Sequence, residues 1–262
     1  MEQYLFSYKS VFTLTKNRKD YMFRKLLLLF VVCCEILYAE DSKSRKFDIA
    51  ISLGEVCQTA GNLSANGLRL QSFPLDWLVT PSEGLIKFIA YEGYNFINVE
   101  NLLFNVFTFA GSGGVCDIYY GIFFYHDFLY SLKRNPQGNL IGIKKLAGVE
   151  LKNYAEVKAK FDRRIARFFE VLHSDKKVLL VRLGMSYQDA ILLNDLLHNK
   201  YPHLDYLLVV LDNTEEIKTD WGLERVKNFY IERQSTFGTN MEDWKNILSQ
   251  FEFNPYEFVN TL

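Results

Sequence analysis

Val178-Leu179-Leu180-Val181 and Tyr206-Leu207-Leu208-Val209-Val210-Leu211 are two unbroken apolar runs, and the segment between them decides the fold. Neither run alternates with polar residues, so each reads as a strand covered on both faces. Between them Ser186 is placed to cap a helix through His198, with Ile191, Leu192, Leu196 and Leu197 predicted to face inward. Strand, helix and strand over 177–211 make a βαβ unit, which implies two parallel strands and a right-handed crossover.

The pattern continues on either side. Phe47-Asp48-Ile49-Ala50-Ile51-Ser52-Leu53 reads as a buried strand that stops at Gly54. A helix is predicted from Glu55 to Asn66, where Asn66-Gly67 supplies a stop. Pro81 opens a second helix to Tyr91, and Leu151 to Ser174 is the longest helical stretch, with Tyr154, Val157, Phe161, Ile165, Phe168 and Leu172 on its apolar face. Leu102 to Ala110 and Val115 to His126 read as strands joined by Gly111-Ser112-Gly113-Gly114, a hairpin signature. Val226 to Ile231 is a further strand and Met241 to Phe251 a closing helix. The expected architecture is α/β: an open, mostly parallel sheet with helices on both faces and an inserted β-hairpin, in a single domain over residues 47–251.

Composition agrees with a packed globular core: 49% of residues are hydrophobic and 23% charged, and proline occurs only five times in 262 residues. The formal net charge of −1 gives no support to a nucleic-acid partner. The N-terminus differs. Basic residues dominate the first 25 positions, and the apolar run Leu26–Cys34 is followed by Ala39 and a polar stretch. Residues 1–39 read as a signal peptide, which implies a secreted or periplasmic protein; a retained N-terminal membrane anchor is the alternative. The apolar run is too short to span a bilayer, so no stable membrane span is expected. Cleavage would remove Cys33 and Cys34 and leave Cys57 and Cys116, which can pair in an oxidising compartment.

In open α/β sheets ligands gather beyond the carboxyl ends of the strands. Cys57, His126, Arg182 and Asp212 all fall at or near such ends. Cys57 lies in the first turn of its helix, where unpaired N–H groups and the helix dipole favour a thiolate, the nucleophilic form. The same N–H groups can serve as an oxyanion hole. His126 is the candidate base by elimination, because His173, His198 and His203 sit at helix ends or in a surface turn. Asp76, within Pro74-Leu75-Asp76-Trp77, is either a buried cap or a site carboxylate. Arg182 follows an apolar strand and needs a partner such as Asp76, Asp212 or an anionic substrate group. No metal motif, phosphate loop or Gly-x-Ser-x-Gly elbow stands in the sequence, so neither metal nor cofactor is expected.

Ser52-Leu53-Gly54-x-x-Cys57-x-x-Ala60, Gly67-Leu68-Arg69 and Ser72-x-Pro74-Leu75-Asp76-Trp77 together resemble the signature of a family of unknown function described as papain-like cysteine peptidases. The family usually shows Pro-Phe-Asp-Trp where this chain has Leu75. His126-Asp127-Phe128 resembles its His motif and Val181-Arg182 its later strand. The resemblance implies Cys57 as nucleophile and His126 as its base, and leaves Asp76, Asp127 and Asp212 open as the orienting third residue. It also implies an alternative papain-like α+β layout. The reading is a cysteine-dependent hydrolase or peptidase acting on a peptide or other acyl substrate through an acyl-thioester. An acyltransferase would share that chemistry. A non-catalytic module could hold a glycan or peptide through Trp77 and nearby aromatics. A nucleotide- or sugar-binding transferase is disfavoured, because Gly54 stands alone in the turn.

Overall fold

The computed structural model describes residues 45–105, 114–133, 135–137, 146, 149–232 and 241–255. The N-terminal segment 1–39 and the glycine-rich connection 111–113 lie outside these residues. The described residues from Lys46 onward form one compact unit.

The centre is a four-stranded parallel sheet. Its strands are β2 (Ile49–Ser52), β8 (Lys177–Leu183), β9 (Asp205–Asp212) and β10 (Val226–Tyr230), in spatial order β10-β9-β8-β2. Ile49 pairs with Val178 and Leu180 with Leu208, so both members of the βαβ unit are parallel to the first strand as well as to each other. Between β2 and β8 the chain inserts a three-stranded antiparallel sheet of β3 (Leu102–Asn105), β4 (Gly114–Asp117) and β5 (Ile122–Phe124). Short pairs join β1 (Lys46–Phe47) to β11 (Glu252–Phe253), and β6 (Tyr130–Leu132) to β7 (Val149–Leu151).

The period-2 alternation of each strand divides the core into two layers. Ile49, Ile51, Val178, Leu180, Leu208 and Val210 face helices α2 (Ser82–Ala90), α3 (Tyr154–Leu172) and α4 (Tyr187–Lys200), which contribute Phe88, Phe161, Phe168, Leu193 and Leu197. Ala50, Leu179, Val181, Val209 and Leu211 face the other way, toward Leu63 of α1 (Cys57–Ala65) and Trp244, Ile247 and Leu248 of α5 (Met241–Leu248). Helices cover both faces of a parallel sheet, so the fold is α/β. Among the described residues no helix is long and apolar enough to cross a membrane.

Two local features differ from expectation. The predicted strand from Val115 to His126 is two antiparallel strands, broken by a turn at residues 118–121 in which Gly121 takes φ +68°. Buried Asp117 anchors that turn by accepting the N–H groups of Tyr119 (3.0 Å), Tyr120 (3.2 Å) and Ile97 (2.8 Å). In α4 the buried positions are Ala190, Leu193 and Leu197, while Leu192 is 49% exposed.

Candidate active site

Strand β2 ends at Ser52, and the chain must turn sharply to start α1 at Cys57. Gly54 (φ +78°) and Glu55 (φ +75°) both adopt the left-handed region to make that turn. A side chain at position 54 would meet Leu75 O and Thr80 Oγ1, each at 3.0 Å, so glycine is needed for space as well as for conformation. The turn is pinned on several sides. Leu53 N–H donates to Val181 O (2.8 Å), Thr80 N–H to Glu55 O (3.0 Å) and Thr59 Oγ1 to Gly54 O (2.9 Å).

Arg182 braces the turn from beneath. It is almost wholly buried, and its guanidinium donates to Leu53 O (2.9 Å), Thr80 O (2.7 Å) and Gly184 O (3.2 Å). One side chain thus ties the end of β2, the start of α2 and the end of β8 together. The structure pairs Asp76 with Arg69 instead of Arg182: Arg69 Nε and Nη2 reach Asp76 Oδ2 at 2.9 and 2.8 Å, and Phe73 N–H reaches the same oxygen at 2.9 Å.

Cys57 is the first residue of α1, and Val56 at the cap position supplies no side-chain acceptor. The first-turn N–H groups are therefore not claimed by a capping side chain. From Cys57 a groove of about 340 Å³ runs along the helix over Gln58, Gly61, Asn62 and Ala65, walled by Trp77 and Met241. Both walls are substantially exposed, and Arg69 stacks on the Trp77 ring with its guanidinium carbon 5.4 Å from the centroid. Gly61, Ala65 and Met241 escaped sequence reading, although Cys57, Gly61 and Ala65 recur every four residues and so fall on one helix face.

The thiol is half-buried, and burial pushes its pKa above the ordinary value; a hydrogen bond with its own backbone opposes the shift. Desolvation and the helix terminus thus act on the thiol in opposite directions. Cys116, in β4, is a second free thiol, buried and pushed up to about 12 by burial and by neighbouring Asp117.

His126 is exposed, in a bend two residues beyond β5. Among the described residues it forms no hydrogen bond or ion pair with Cys57, and the groove lining does not include it. Its loop is nevertheless fixed beside the Trp77 segment. Val79 and Phe123 exchange backbone hydrogen bonds at 3.1 and 2.9 Å, Asn153 Nδ2 donates to Asp127 O (2.9 Å), and Lys160 Nζ meets Asp127 Oδ1 at 2.6 Å. Asp212 ends β9 with Oδ1 accepting from Asn213 N–H (2.7 Å), away from the groove lining. The structure thus brings Cys57 and Trp77 to one groove, sets Asp76 behind Trp77, and leaves Asp212 apart. Among the described residues no three His, Cys, Asp or Glu side chains are grouped to hold a metal ion.

A sequence profile for the family described as "Putative papain-like cysteine peptidase (DUF1796)" matches residues 48–112 and 115–216, well over half of the chain. The chain belongs to that family. The matched region starts at the first core strand and runs through the βαβ unit, so it contains the whole turn, Cys57, the Trp77 segment and His126. No curated protein and no solved structure matched.

Proposed function

We propose that this family member is a cysteine-dependent hydrolase in which Cys57 is the nucleophile. The observation that carries the reading is a thiol at the uncapped head of a helix, at the end of an open groove. Family membership supports it. The raised thiol pKa makes an external base necessary, and His126, on the adjoining loop, is the proposed one. Closing the pair falls to substrate binding, since catalytic hydrogen bonds commonly tighten only in the substrate complex.

In the proposed reaction the imidazole takes the thiol proton while sulfur bonds to the substrate carbonyl carbon. The resulting oxyanion lies against first-turn N–H groups of α1. Its collapse breaks the bond to the leaving group, which receives the proton from His126. Water then adds to the thioester and gives its proton to His126. Collapse releases the acid, and the proton returns to Cys57. A nucleophile other than water at the last step would make the same site an acyltransferase. Arg182 supports the turn and does not face substrate in this reading.

The test is intact-mass spectrometry after exposure to p-nitrophenyl acetate. An acetyl adduct on Cys57 is expected, absent in Cys57→Ala and formed more slowly in His126→Ala. A wild-type protein that stays unmodified would sink the reading. The second reading, a non-catalytic groove for a peptide or glycan, is favoured by the burial that raises the thiol pKa and by the lack of a hydrogen bond between Cys57 and His126 among the described residues.

A further inference from the structure

Two buried carboxylate oxygens flank the proposed site without a hydrogen-bond partner: Asp76 Oδ1 and Asp127 Oδ2. Each side chain is at least nine-tenths buried, and each has its other oxygen paired, Asp76 with Arg69 and Asp127 with Lys160. A buried acceptor left unpaired is costly, which makes these two positions anomalous.

Helix α3 carries a row of cations beside both carboxylates. Lys160, Arg164 and Arg167 are spaced i, i+4, i+7 and so share one helix face. At one end of this row Lys160 Nζ holds Asp127 Oδ1 at 2.6 Å, and at the other Arg167 Nη1 donates to Ser72 O at 2.8 Å. Arg164 lies between them, half-buried. Its guanidinium carbon is 5.4 Å from the Phe161 centroid, and among the described residues it makes no hydrogen bond or ion pair. Burial pulls its pKa down, and the charges of Asp76 and Asp127 both oppose that shift.

We infer that Arg164 is a positioning residue, shared by Asp76 Oδ1 and Asp127 Oδ2, that locks the loop carrying Trp77 to the loop carrying His126. Five donors in a planar fork suit one guanidinium to two carboxylates. The inference concerns the same site as the Cys57 reading, and the loop coupling it describes can be measured without catalysis.

The experiment is a double-mutant cycle of Asp76→Asn and Asp127→Asn, read by urea unfolding, in the wild-type, Arg164→Gln and Arg164→Lys backgrounds. Midpoint shifts that fail to add with Arg164 present, add with Arg164→Gln, and depart from additivity only in part with Arg164→Lys, which lacks the planar fork, are expected. Additivity in all three backgrounds would overturn the inference. If Asp76→Asn does not fold, amide exchange in Arg164→Gln reads the same junction: faster exchange in both 72–77 and 126–128 supports the lock, and a change in neither overturns it. Acetylation of Cys57 is followed in parallel. Slowing by up to about a hundredfold in Arg164→Gln, restored only in part by Arg164→Lys, is the expected functional signature. A wild-type protein that is never acetylated would count against the Cys57 reading and leave the unfolding cycle to decide on Arg164.

Discussion

Arg69 spends two of its nitrogens on one oxygen of Asp76, Nε at 2.9 Å and Nη2 at 2.8 Å. The Asp76 side chain is 1% exposed and that of Arg69 17%. Burial pushes the Asp76 carboxyl up, and the Phe73 N–H and Arg69 pull it back. Asp76→Asn keeps the shape and removes the charge, leaving the cation without its partner. Breaking a buried pair from one side costs about 3 kcal/mol, so the urea midpoint of Asp76→Asn should fall clearly below wild type. An unchanged midpoint would mean that the pair contributes nothing to stability. The same substitution should loosen Trp77, whose ring Arg69 covers, and raise its accessibility to acrylamide quenching.

The two thiols predict a pH dependence with a definite sign. Both are raised in the folded protein, Cys57 by burial and Cys116 to about 12. Above the unfolded thiol value of about 8.5 the unfolded chain loses these protons first. The folded state then binds more protons, and stability falls as pH rises. The stabilising contribution is complete below about pH 8.5 and is lost on the way to the folded value of about 12 for Cys116. Unfolding midpoints at pH 8 and pH 10.5 should therefore differ more in wild type than in Cys116→Ala. Iodoacetamide labelling of native Cys57 should rise with a midpoint above that of a model thiol. A midpoint at or below it would mean that the helix terminus, or a cation, outweighs desolvation.

The parallel sheet was legible because strands covered on both faces must be apolar at every position. The runs at 178–181 and 206–211 therefore identify themselves without knowledge of their neighbours. The turn at Cys57 was legible for a related reason, since a strand that stops at glycine before a helix exposes the first amides of that helix. Helix α4 was harder: Ile191-Leu192-Leu193 and Leu196-Leu197 are apolar at successive positions, so composition does not fix the phase. Packing against the sheet selects Leu193 and turns Leu192 outward. The partners of Arg182 were beyond reach, because they depend on which backbone carbonyls the fold brings beneath the turn. The burial of Cys57, a tertiary quantity that opposes the local effect of the helix terminus, was likewise out of reach of the sequence.

Gly54→Ala tests whether the turn geometry sets the reactivity of the thiol. The new side chain would need φ near +78° and would press on Leu75 O and Thr80 Oγ1. An incompatible substitution of this kind costs more than about 1 kcal/mol, equivalent to a fall of about 3 °C in Tm for a chain of this size. Because the turn delivers Cys57, the acetylation rate should fall as well. A lower Tm with an unchanged rate would confine the effect to stability.

Gly61 offers the opposite experiment. It lies inside α1 with an ordinary helical φ, and a Cβ built there meets nothing within 4 Å. Gly61→Ala should therefore stabilise the protein by about 0.5–1 kcal/mol, because it restricts the unfolded chain at no steric cost. Gly61→Leu fills the groove between Cys57 and Ala65. If that groove receives the acyl part of a substrate, Gly61→Leu should leave labelling by iodoacetamide nearly unchanged while slowing acylation by a long-chain p-nitrophenyl ester. Equal rates for the long-chain ester in Gly61→Leu and wild type would place the acyl chain elsewhere, and a parallel loss with both reagents would point to damage at the thiol itself.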